Sequence, residues 1–359
     1  MDINRKKIDD IRPSYNYKDG LLSYQSGTNG KFGIIDKNGK KLLEPIYDFI
    51  YNPEINGTRK VELNGKLGLI DKNGKEILEP EYSNIFDIDD NGERRIEKDS
   101  FVSILGKDNK ILVPPKYHFI GSPEKNNTRQ IRFKGLWGLI DKDGKEIVPP
   151  KYDEIEDPDN EGNISVKLKG NWGLLNKDGK EIVPPKYGLI SSPDNEGNRE
   201  ISLNGKRGLL DKNGKEIVPP KYGFIFSPNN DGFRKVKLDG KLGLLNKDGK
   251  EIIKPIYDLI GTPDNEGKIE ISLNGKYGIV DKNGKQFVPI KYDGIFSPNN
   301  DGTRKVELDG KVGLLNKDGK EIVKPIYDTV GHRAQKGHRK ISLNGKYGII
   351  DKDGNVIWE

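Results

Sequence analysis

Apolar and polar residues alternate along this chain in short bursts separated by turn formers. Residues 257–291 show the pattern well. Ile269, Ile271 and Leu273 alternate with polar residues at the period-two spacing of a half-buried strand. Asn274-Gly275 follows, a pair suited to the two positive-φ positions of a type I′ hairpin turn, and Tyr277-Gly278-Ile279-Val280 is the next strand. Asp281-Lys282-Asn283-Gly284 puts Asp first and Gly fourth, as a type I turn closed by a glycine bulge requires. Gln286-Phe287-Val288 is predicted as a closing strand stopped by Pro289, which cannot donate to a ladder. The opening strand, Tyr257-Asp258-Leu259-Ile260, is set off by the turn cluster Thr262-Pro263-Asp264-Asn265-Glu266-Gly267. Runs between turn signals are about eight residues or fewer, which leaves no room for helices.

This unit recurs at constant length. Gly33, Gly68, Gly138, Gly173, Gly208, Gly243, Gly278, Gly313 and Gly348 fall on one 35-residue grid, with Ser103 in the remaining slot. Tyrosines from Tyr47 to Tyr327 form a second grid, and Asn109 takes the turn-glycine slot of the third unit. A finer repeat overlies both, since Ser227-Pro228-Asn229-Asn230-Asp231-Gly232 returns 70 residues later at Ser297. The chain therefore reads as one repeat domain, 1–359, of ten modules with links near Pro45, Pro80, Pro115, Pro150, Pro185, Pro220, Pro255, Pro289 and Pro325. Ile8 to Pro13 supply the opening strand of the first module, and a two-residue insertion precedes Gly30.

A lone 35-residue meander buries too little to stand in water. Neighbouring modules must bury their faces on one another. The expected fold is all-β, with ten tandem antiparallel β-meander modules arranged as a β-propeller-like ring; the alternative is an open superhelical β-solenoid array. The tyrosine beside each proline is expected to stack between modules.

The string Leu136-Trp137-Gly138-Leu139-Ile140-Asp141-Lys142-Asp143-Gly144-Lys145-Glu146-Ile147-Val148-Pro149-Pro150-Lys151-Tyr152-Asp153 resembles the units of the bacterial WG-repeat family. The resemblance covers nearly the whole chain and implies a β-rich tandem array that mediates interactions, with no shared catalytic residues. The namesake tryptophan slot varies here: Phe32, Leu67, Val102, Trp137, Trp172, Arg207, Leu242, Tyr277, Val312 and Tyr347. An arginine among aromatics places that slot at least partly in solvent.

Composition narrows the chemistry. The 359 residues include no Cys, so disulfides and zinc–cysteine sites are excluded, and the 62 basic and 56 acidic residues are finely interspersed to a net +6. No apolar run approaches the roughly 20 residues of a membrane span. Lysines from Lys37 to Lys352 share one turn slot, but nearby acids blunt their field, and no nucleic-acid partner is expected. The Asp141-Lys142-Asp143-Gly144 turn lacks the further oxygens of a calcium loop. Of the three histidines, His332 and His338 share a degenerate loop and His118 stands alone. No catalytic residue, metal or cofactor is expected, and the chain is read as a non-enzyme.

The expected role is a repeat scaffold for protein–protein interaction with an unidentified partner; the alternative is a glycan-binding surface or secreted protein. The candidate surface comprises slots that vary between otherwise copied units: Phe32, Trp137, Trp172, Arg207, Tyr277 and Tyr347 in the namesake position, and Tyr51, Phe86 and Phe226 after the opening strand. A cytoplasmic location is expected from the lack of a signal segment, with secretion or the cell surface as the alternative, since the absence of Cys fits either.

Overall fold

A computed structural model describes residues 12–25, 30–333, 338–351 and 355–359. Ile8 to Ile11, the insertion before Gly30, and Ala334 to Gly337 lie outside the described residues. The described chain is all-β, with no helix, and forms ten four-stranded antiparallel meanders in sequence order. Module 4 is representative: Phe119–Ile120, Arg129–Phe133, Leu136–Ile140 and Glu146–Tyr152. The expected turn chemistry is present. Asn274 and Gly275 both have positive φ, at 52° and 76°. In the Asp141 turn, one carboxylate oxygen accepts the amides of Asp143 and Lys145 at 3.0 and 2.8 Å, while Gly144 takes a φ of 80°.

The prolines behave differently from expectation. The fourth strand runs through its proline to the tyrosine, as in Gln286–Tyr292, so each boundary falls after Tyr47, Tyr82 and their equivalents, two or three residues beyond the link inferred at Pro45, Pro80 or Pro289. Tyr257 accordingly closes one sheet, and the next opens at Leu259. Register supplies the reason. Trp137 pairs with Tyr152 and Leu139 with Val148, so Pro149 and Pro150 bulge out of an edge strand, where a missing N–H costs nothing. The bulge folds over Gly138: a Cβ there would stand 2.5 Å from the Val148 carbonyl oxygen and 2.7 Å from the Pro150 nitrogen. The second residue of the repeat signature is thus glycine because proline-bearing backbone occupies the space of a side chain.

The chain divides into two compact units, residues 1–185 and 186–359. Within each, the core lies between modules. In the first unit Leu139, Val148 and Tyr152 of module 4 pack with Ile164, Val166 and Leu175 of module 5. In the second, Leu209, Val218 and Tyr222 pack with Ile225, Val236 and Leu245 in the same way.

Two polar ladders reinforce this stacking. The buried tyrosine that closes most sheets reaches a glutamate in the next module, as in Tyr117 to Glu146 at 2.9 Å and Tyr292 to Glu321 at 2.6 Å. Lys291 and Tyr292 together hold the Glu321 carboxyl below its usual range, while burial, then the bond to Glu321, pushes the tyrosine up. A buried arginine at the start of the second strand forms the other ladder. Arg94 binds Glu54 of the preceding module at 2.8 Å and the Phe86 carbonyl at 2.8 Å, and Arg59–Asp19, Arg234–Asp194 and Arg304–Asp264 repeat the ion pair. The cost of burying such charges is offset because each is paired with an opposite charge and hydrogen-bonded.

Candidate functional site

The four strands place one residue each in register across every sheet. In module 4 the row is Phe119, Arg132, Trp137 and Tyr152. The namesake residue therefore stands between a second-strand side chain and the buried tyrosine. Trp137 is half-buried, with Phe119 edge-on at 5.6 Å and the Arg132 guanidinium over its ring at 5.2 Å. Trp172 carries the Lys167 ammonium at 5.2 Å, and that lysine also binds Glu154 at 2.9 Å. Each indole thus has a cation of its own module over one face. Arg207 is ion-paired with Glu200 at 2.5 Å. Tyr277 is half-buried and Tyr347 is 65% exposed.

The loop aromatics are more open. Tyr51 lies against Phe49 at 4.7 Å with its hydroxyl 3.2 Å from Glu62, Phe226 lies against Phe224 at 4.8 Å, and Phe86 lies under the Arg95 guanidinium at 5.2 Å. Each sits beside the seam between adjacent modules. Phe32 and Tyr51 meet in one such groove of about 480 Å³, closed by Tyr17, Phe49 and Ile50. Phe226 lines a second groove, while Trp137, Trp172, Arg207, Tyr277 and Tyr347 lie on the third strands of separate sheets.

Two features escaped the sequence reading. Phe296 is half-exposed and equivalent to Phe226; it returns with the 70-residue repeat and was legible there. The arginine ladder also falls on the 35-residue grid, at Arg59, Arg94, Arg129, Arg199, Arg234, Arg304 and Arg339, with Ile164 and Ile269 interrupting it.

Among the described residues no group of three or more His, Asp and Glu side chains is placed to hold a metal ion. His118 is instead sandwiched between Phe101 and Phe133, with centroids at 5.1 and 5.4 Å, and its Nδ1 accepts the Lys134 amide at 3.3 Å. The side chain of His332 lies outside the described residues. No helix among those residues is long and apolar enough to cross a membrane.

Comparison with solved structures gives remote matches. PorZ, a bacterial surface component of the type-IX secretion system of Porphyromonas gingivalis, is 11% identical with a TM-score of 0.23, over 94% of this chain and 57% of that one. This chain thus spans little more than half of PorZ. A eukaryotic initiation factor is 8% identical with a TM-score of 0.25, over 85% and 96%. The dihydro-heme d1 dehydrogenase NirN is 13% identical with a TM-score of 0.24, over 76% and 73%. No curated protein matches the sequence. The WG containing repeat, in contrast, matches residues 32–66, 68–92, 137–172, 172–206, 208–241, 243–277, 277–311 and 313–338. With most of its length built from that unit, the chain belongs to the WG containing repeat family.

Proposed function

We propose that this chain is a non-catalytic scaffold that holds a protein partner along the grooves at its module seams. One observation carries the reading. Residues that build the array, such as Gly138, Tyr152 and Arg94, recur on a fixed grid, whereas Tyr51, Phe86, Phe226 and Phe296 are exposed aromatics in slots that Gly121 and Gly261 fill elsewhere with the same backbone pairing. Solvent-facing aromatics that the fold does not require favour recognition. Repeats also lay such residues out over an extended surface. The glycan reading is weaker, because Trp137 and Trp172 each have one face taken, by Arg132 and Lys167. A sugar stacking on the covered face would have to displace those cations.

The test uses the full chain as bait against extract from its source cells. A defined protein partner should be retained, and Tyr51→Ala, Phe86→Ala and Phe226→Ala combined should release it without lowering the melting temperature. Binding on a glycan array that is abolished by Trp137→Ala and Trp172→Ala, with no protein partner, would overturn the proposal.

A further inference from the structure

The loop aromatics come with a cation. The residue after the first strand and its backbone partner on the second strand are Tyr51 and Lys60, Phe86 and Arg95, Phe226 and Lys235, or Phe296 and Lys305 wherever that residue is aromatic. Where it is not, the partner is Gln130 beside Gly121, Ser165 beside Glu156, Glu200 beside Ser191 or Glu270 beside Gly261, and in the last module Lys340 faces Gly331 with no aromatic beside it. In the first unit the cations are satisfied. Lys60 binds Asp87 at 2.7 Å, and Arg95 binds Glu97 at 2.8 Å.

Lys235 and Lys305 of the second unit differ. Both are half-buried, and among the described residues neither side chain has a hydrogen bond, an ion pair or a ring contact. Each lines a seam groove beside its phenylalanine. The first, about 250 Å³, sets Phe226, Lys235 and Leu244 against Gly261, Thr262 and Pro263 of the next module. The second, about 520 Å³, sets Phe296, Lys305 and Val312 against Thr329 and Val330. Asp328 at its edge is already engaged by Lys311 and by the Asn344 amide at 2.7 Å. An ammonium without a counter-ion, on a half-buried lysine beside an exposed aromatic ring, suits an incoming carboxylate attached to an apolar group.

The spacing selects the ligand further. Glu270 takes the lysine slot in the module between the two grooves, and burial pushes its carboxyl up. The surface therefore offers two discrete cations with an acid between them. A uniform polyanion such as nucleic acid or a sulfated glycan would meet that acid, whereas a peptide can place its carboxylates selectively.

We propose that the grooves of modules 7 and 9 are twin sites for an acidic linear peptide, each seating an apolar side chain on Phe226 or Phe296 and an adjacent carboxylate on Lys235 or Lys305. This rests on the scaffold reading and narrows it to a partner segment rich in Asp or Glu next to Phe, Leu or Ile.

The experiment is selection of a random-peptide phage library on the intact chain, followed by calorimetry with an enriched synthetic peptide. Enriched sequences should pair Asp or Glu with a large apolar residue and bind at two peptides per chain. Lys235→Glu or Lys305→Glu should reduce that to one, and the double variant should weaken binding on the order of tenfold or more. The same peptide with Lys replacing its acids should bind the double variant. Both substitutions lie on unpaired side chains, so an unchanged melting curve separates lost binding from lost folding. Enrichment of neutral or basic peptides, an affinity indifferent to both substitutions, or displacement of the peptide by heparin or an oligonucleotide would each overturn the proposal. If no peptide is enriched, the twin-site proposal fails, while the scaffold reading falls only if the intact chain also retains no folded protein.

Discussion

Modules 3 and 4 adjoin in the chain and share a fold, yet they reach it with different residues. The family match omits residues 93–136, but module 3 keeps the whole meander, and Val102 pairs with Tyr117 across the same bulge as Trp137 with Tyr152. Its hairpin turn is Asp99-Ser100 at φ 50° and 69°, where module 4 has Lys134-Gly135. Its second turn begins at Gly106, which cannot make the two carboxylate bonds of Asp141, and closes on Asn109 at φ 62°. Ser103 replaces the packed glycine, and its buried hydroxyl has no hydrogen-bond partner. At the link between the two modules, the Phe101–His118–Phe133 stack stands where Lys241–Asp258 forms an ion pair between modules 7 and 8. The backbone geometry is thus set by conditions that several residue types satisfy, some at a cost in stability.

The largest expected effect tests what holds the weaker module. Arg94→Ile should destabilise module 3 by about 3 kcal/mol, because Glu54 loses its close, hydrogen-bonded cation and keeps only Lys60 at 3.8 Å. Adding Glu54→Leu should recover most of the loss by removing the carboxylate that has lost its arginine. Hydrogen exchange in peptides covering Arg94–Lys98 reads both changes. Next, Gly138→Val should cost about 3 kcal/mol by forcing the proline bulge outward. Gly144→Val should be similarly costly, since a Cβ there would lie 2.5 Å from the Leu112 carbonyl oxygen in a left-handed residue. Asn109→Val should cost less, its module having already accepted a side chain at that turn; equal losses of melting temperature would contradict the turn account.

Smaller effects should narrow the contrast. Ser100→Gly relieves a left-handed serine and should stabilise module 3 by about 1 kcal/mol, while Gly135→Ser should remove a similar amount from module 4. Denaturant midpoints of the two variants should move in opposite directions. The smallest effect depends on pH. Burial, and then the neighbouring Asp157, push the Glu124 carboxyl up. Folding therefore disfavours its ionised form, and stability falls as pH rises through the usual glutamate range and up to the raised folded value. Glu124→Gln should raise the melting temperature slightly at pH 7 and leave it unchanged below about pH 4.

Turns, strands and module count were legible in the sequence because each depends on residues close together: Asn274-Gly275 specifies its own φ values, and the alternation from Ile269 to Leu273 specifies its own face. The proline was misread for lack of such locality. Whether Pro149 ends a strand depends on Gly138 across the sheet, and a proline alone does not announce an edge strand that bulges. The arginine ladder was visible as a grid, but its meaning needs Asp264 and Arg304, 40 residues apart, brought together by stacking. Of the candidate surface, the variable slots were legible and the cations covering Trp137 and Trp172 were not, since a side chain over a ring is set by rotamer and register together.

The arginine ladder also bears on how such an array lengthens by recombination. Acid and arginine lie in successive modules, so a duplicated 35-residue segment presents an acid at one end and an arginine at the other, and the new junction pairs them as the old one did. Any in-frame copy therefore arrives with its charges matched. Ile164 and Ile269 mark the exceptions. The slot facing Ile269 holds Asn229, so an arginine-bearing segment joined after that asparagine would bury a charge without an acid, which makes that seam the place where the chain is least free to grow.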